Sequence, residues 1–150
     1  MRITRLLSTL GLVAAIGSAP ALAAKPVIGG TIVTPVTSTA TCDGASAMDV
    51  TLTGVRAKTN EITVYSTQLV GGYWNMTLLN ASGDLVTGFG QGIPDISGGK
   101  FVRITTTVAG AIPRGTSTLS FVAQRHDPIA DPSTSPVLET CTANLTVTTR

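Results

Sequence analysis

Charge is scarce in this chain of 150 residues: Asp, Glu, Lys and Arg together make up 12% of it, about half the usual share. Aromatic residues are only 4%, histidine occurs once and cysteine twice. Each shortage closes off a class of chemistry. One histidine and two cysteines cannot by themselves close a four-ligand zinc site, and without a Cys-x-x-Cys pair the chain lacks the usual dithiol redox motif. No Gly-x-Ser-x-Gly elbow is present to hold a hydrolase nucleophile. The acids are dispersed, so spacing does not pair two carboxylates for glycoside chemistry. Basic residues are scattered singly, which leaves no electrostatic footprint for nucleic acid. No cofactor is expected.

A charge-free and mostly apolar run, Leu6 to Ile16, follows Arg2 and Arg5 and precedes Gly17-Ser18-Ala19-Pro20. A short cationic start, an apolar stretch and the small residues of Ala21-Leu22-Ala23 have the order of a cleavable secretory signal. The run is about half of what a bilayer-spanning helix needs, so a removable signal over residues 1–23 is the expectation, with no transmembrane anchor in the mature chain. Its removal takes Arg2 and Arg5 with it. Ten Lys and Arg against eight Asp and Glu then become eight against eight, and the formal charge of +2 falls to zero. Residues 24–150 have the length of one domain with its own core, destined for the periplasm, the cell surface or the medium.

Past the signal, apolar residues recur with period two and nowhere with a helical period. Val50 and Leu52 alternate with Thr51 and Thr53; Val102 and Ile104 with Arg103 and Thr105; Leu119, Phe121 and Ala123 share one face. The clearest amphipathic segment, Thr140 to Thr149, sets Cys141, Ala143, Leu145 and Val147 against four intervening polar residues. Further strands are expected over 31–41, 61–67, 72–80 and 84–90, about eight in all. β-Branched side chains suit a pleated, half-buried surface, and turn residues such as Asn80-Ala81-Ser82-Gly83-Asp84 separate the runs. This spacing predicts an all-β antiparallel sandwich or barrel.

Cys42 and Cys141 stand near the two ends of that domain, in phase with inward-facing neighbours. In an exported chain an intramolecular disulfide is the default; free or intermolecular thiols are the alternative.

The run Ile112-Pro113-Arg114-Gly115-Thr116-Ser117-Thr118-Leu119-Ser120-Phe121-Val122-Ala123 resembles the Pro-x-Gly-Thr-x-x-Leu-x-Val-x-Ala pattern near the end of bacterial immunoglobulin-like domains. Trp74-Asn75-Met76-Thr77-Leu78, followed by Ser82-Gly83-Asp84, is similar to the Trp-bearing strand and turn of such sandwiches. The resemblance implies an antiparallel immunoglobulin-like β-sandwich of 7–8 strands. The cysteines depart from it, since the antibody-type bridge joins the second strand to the next-to-last one. Because the architecture hosts many functions, it says little about what this chain does.

Candidate contact residues are few. Tyr73 and Trp74 must point to opposite faces of a strand, so one belongs to the core and the other is available to a protein or carbohydrate partner. His126 and Asp127 close a predicted strand and lead into a loop, 127–136, that contains Asp131 and three prolines; His126 is expected to face solvent there. Three readings follow. The first is a secreted, non-enzymatic structural or interaction module of adhesion type. The second is an inhibitor or a small-ligand or carbohydrate-binding protein using the 127–136 loop. The third, resting on His126 and Asp127 alone, is a small hydrolase. Self-association through weakly charged sheet edges is also possible.

Overall fold

The computed structural model describes residues 29–127 and 134–150. The expected signal, residues 1–23, and Asp131 lie outside the described residues. Nine strands form: β1 (Val36–Thr39), β2 (Thr41–Cys42), β3 (Ala47–Arg56), β4 (Thr59–Gln68), β5 (Gly72–Leu79), β6 (Leu85–Ile93), β7 (Val102–Thr107), β8 (Gly115–His126) and β9 (Glu139–Thr149). They make two antiparallel sheets, β1-β3-β4-β7 and β2-β9-β8-β5-β6. Of the antiparallel sandwich or barrel expected from the alternation, the all-β sandwich is the observed fold.

The period-two pattern becomes the core directly. Val50, Leu52, Ile62 and Val64 from the four-stranded sheet meet Trp74, Met76, Leu78, Phe121 and Leu145 from the five-stranded one, each at 2% exposure or less. Their neighbours along each strand face solvent, where hydroxyls pair across strands: Thr37 with Thr51, Thr63 with Thr105, Thr116 with Thr148 and Thr118 with Thr146, at 2.7–3.1 Å. The threonine-rich sequence thus supplies a stiff β-branched stem for the sheet and a hydroxyl for its surface.

The ninth strand arises because the single strand expected over 31–41 is broken twice. Thr31 and Val33 first pair with the chain end, Thr31 N donating to Arg150 O and Val33 N to Thr148 O. After Pro35, which has no N–H to give a ladder, β1 crosses to β3 in the other sheet, and at Ala40 the chain returns so that β2 pairs with β9. Inward and outward positions alternate alike in either sheet, so periodicity alone does not reveal such a crossing.

Asn60 fastens this wandering segment. Its side chain, only 3% exposed, accepts Ile32 N at 2.8 Å and donates to Gly30 O at 2.9 Å. Asn60→Ala strands a buried donor and acceptor, and the expected cost is about 2 kcal/mol in urea unfolding. A loss below about 0.5 kcal/mol would show that water replaces both bonds.

Strand order in the four-stranded sheet departs from the antibody type, in which the second strand pairs with one that arrives only after the central strands. Here β3 runs straight into its neighbour β4 through a tight hairpin, with Arg56 opposite Thr59. The bridge is placed differently too. Cys42 and Cys141 are bonded as directly opposed residues of β2 and β9, with Cα atoms 4.0 Å apart. It closes a separation of 99 residues within one sheet.

Candidate functional site

The residues singled out from sequence do not form one site. Trp74 is fully buried and its indole N–H donates to Val70 O at 3.0 Å, so it is the core member of the aromatic pair. Tyr73 lies half-buried on the outer face of β5. Its ring crosses Gly90 of β6, where any Cβ would come within 2.8 Å of the phenol Cζ; glycine there makes room for the ring.

His126 corrects an expectation. The imidazole is 6% exposed instead of facing solvent, and Nδ1 lies 3.2 Å from both the carbonyl oxygen and the hydroxyl of Ser135. The residue closes β8 opposite Tyr73 and holds the far end of the loop against the sheet. Asp127 is exposed. Most of the 127–136 loop, including Asp131, lies outside the described residues, so the proposed loop surface is not on view.

Glu139 opens β9, where a carboxylate is expected to face solvent. It is instead buried at 2% exposure, in the inward phase of β9 with Cys141. Its carboxylate accepts Ser46 N at 2.8 Å, Ser46 Oγ at 3.0 Å and Arg125 Nε at 3.3 Å. Gly44 leaves space for it, since a Cβ there would meet Glu139 Cδ at 2.6 Å. Although Cys42, Glu139 and Cys141 crowd together closely enough to hold a metal ion, both sulfurs are spent in the disulfide. That removes the thiolates such a site would require. Glu139 is a fastening between sheets.

The arrangement with most chemistry to offer is on the outer face of the four-stranded sheet, which the sequence reading passed over. Register brings three cross-strand rows into line. Thr39, Asp49, Tyr65 and Arg103 stand side by side across β1, β3, β4 and β7; the next row is Thr37, Thr51, Thr63 and Thr105; the third holds Thr53, Glu61 and Thr107. A shallow groove runs over these rows, and a smaller notch opens beside Asp49 and Tyr65.

Phe101, just before β7, projects from the same face and is 61% exposed. Its ring centroid lies 5.9 Å from that of Tyr65 at an interplanar angle of 35°, and the Arg103 guanidinium carbon sits 5.4 Å from the Tyr65 centroid. Ring stacking and cation–π attraction hold these side chains in place. Asp49 accepts a hydrogen bond from Thr39 Oγ1 at 2.7 Å. Among the described residues the only ion pair is Arg125 with Glu139, so neither Arg103, Asp49 nor Glu61 is consumed in a salt bridge. The face therefore presents an aromatic ledge, a guanidinium and two carboxylates over a flat floor of hydroxyls.

No residue of this cluster is adjacent in sequence to another on a different strand. The one signal available beforehand was Phe101 next to the Ser97-Gly98-Gly99-Lys100 turn, a large apolar side chain where burial is not expected. Among the described residues no helix is long and apolar enough to cross a membrane. No family model, no curated protein and no solved structure matches the chain.

Proposed function

We propose that this chain is an exported, non-enzymatic interaction module of adhesion type, and that it engages its partner through the outer face of the four-stranded sheet. The observation that carries the reading is Phe101, held 61% exposed against Tyr65 and beside charged groups with no ion-pair partner. The exposed ring adds nothing to the core, whereas a rigid aromatic anchor among polar groups is the usual composition of a contact surface. The disulfide supports export, because such a bond persists in an oxidising compartment. The sandwich supplies what an interaction module needs: each sheet presents an outer face, and the Cys42–Cys141 bond ties β2 to β9.

The test is retention of labelled residues 24–150 on envelopes of the cells that produce the protein. Phe101→Ala with Arg103→Ala is expected to weaken retention about tenfold, or about 1.4 kcal/mol. Thr118→Ala with Thr146→Ala, on the opposite sheet, should leave it unchanged. Equal retention of both variants would overturn the assignment of this face.

A further inference from the structure

Resting on the reading of that face as the contact surface, we infer that its ligand is a neutral polysaccharide, laid across the strands along the row of Arg103, Tyr65 and Asp49, with a sugar ring on Phe101 and hydroxyls on Arg103 and Asp49.

The chemistry of the face selects among macromolecules. A sugar hydroxyl both donates and accepts, so its natural surface mixes donor-only, acceptor-only and two-way groups. Here the guanidinium of Arg103 only donates, the carboxylates of Asp49 and Glu61 only accept, and the hydroxyls of Thr37, Thr51, Thr63 and Thr105 do either. Two of those hydroxyl pairs already bond to each other, at 2.7 and 2.9 Å, which fixes their orientation and leaves lone pairs for a ligand. A pyranose also has an apolar face of C–H groups carrying slight positive charge. The negative face of an aromatic ring attracts it, and Phe101 offers such a ring to solvent.

The alternatives fit less well. A protein interface of standard kind has a desolvated apolar centre, and the three rows carry none: their one aromatic is the half-buried Tyr65, with Phe101 beside it. Along the three rows a polyanion, whether nucleic acid or sulfated glycan, would meet two carboxylates for one guanidinium, and phosphate or sulfate binding needs the opposite balance. Geometry suits an extended polymer. Two of the rows cross all four strands of the sheet, about 14 Å at about 4.8 Å per strand spacing, enough for about three pyranose units. The groove is shallow and is not a closed pocket, so chain ends are not required.

The experiment measures retardation of residues 24–150 in native gels containing a soluble β-glucan, mannan or xylan, and co-sedimentation with insoluble cellulose and chitin. Heparin is the polyanion arm. At least one neutral polysaccharide should bind, Phe101→Ala should weaken that binding tenfold or more, and Phe101→Trp should retain it. Asp49→Asn should weaken it several-fold. Heparin should not bind. Thermal unfolding of each variant must match the parent, as expected for the exposed Phe101 and for an isosteric change at the half-buried Asp49. Failure of every neutral polysaccharide to bind, binding that Phe101→Ala leaves intact, or preferential capture by heparin would each overturn the inference. If polysaccharides fail while envelope retention still depends on Phe101 and Arg103, the ligand class is wrong and the interaction surface stands. If envelope retention is indifferent to those residues, both readings fall.

Discussion

Replacing both cysteines, Cys42→Ala with Cys141→Ala, is expected to lower the unfolding free energy by about 4 kcal/mol. The bond spans a sequence separation of 99, and cross-linking so long a loop removes much of the freedom of the unfolded chain, about 4–5 kcal/mol in the loop-entropy account. Its position adds to this. Strand β2 is two residues long and pairs only with β9, through Thr41 with Thr142 and Cys42 with Cys141. Without the covalent bond so short a ladder has little reason to persist, and the chain from Pro35 to Gly44 loses its return to the five-stranded sheet. Urea unfolding of the oxidised, reduced and double-alanine forms measures the effect. Reduction should reproduce most of the double substitution, and a difference under about 1 kcal/mol between oxidised and reduced protein would mean that the unfolded chain gains little freedom.

Glu139→Ala should be of similar size, about 3–5 kcal/mol, because it removes one partner of a buried ion pair and leaves the other uncompensated. The Arg125 side chain is 17% exposed and that of Glu139 only 1%, so most of the loss comes from groups that water cannot reach. Ser46 N and Oγ lose their acceptor. Ser46 Oγ in turn accepts Val70 N at 3.0 Å, and Val70 O accepts the Trp74 indole, so the disturbance passes to the largest core side chain. Glu139→Gln keeps the shape and one acceptor oxygen and should cost less than half as much. Combining Glu139→Met with Arg125→Met should recover part of the loss, as it does where a buried pair is replaced by packed apolar atoms. Near-neutrality of Glu139→Ala would show that the carboxylate is solvated in the folded state.

These two results probe features that differ in how far they can be seen without coordinates. The bridge is visible from the primary structure, since two cysteines in a chain that reads as exported leave one intramolecular pairing and both fall in phase with inward-facing residues. The role of Glu139 is not. A carboxylate at the mouth of a strand reads as surface, and only the approach of Ser46 and Arg125, 93 and 14 residues away, explains why it is buried. His126 fails as a solvent-facing residue for the same kind of reason: its cover comes from Ser135, across a loop whose path alternation does not describe.

Face and partner are separate pieces of information. Alternation with period two, set by the pleat, told which side chains of each strand point inward; it predicted the all-β sandwich, the burial of one of Tyr73 and Trp74, and the phase of Cys141. It is blind to which strand lies beside which and in what register, because a strand of given pattern satisfies its inward face in either sheet. Hairpin geometry and packing decided those matters: the split of residues 31–41 between two sheets, the direct β3–β4 hairpin that departs from the antibody order, and the row that brings Asp49, Tyr65 and Arg103 together. The candidate surface belongs wholly to that second kind of information, since it exists only where four separately written strands come into line.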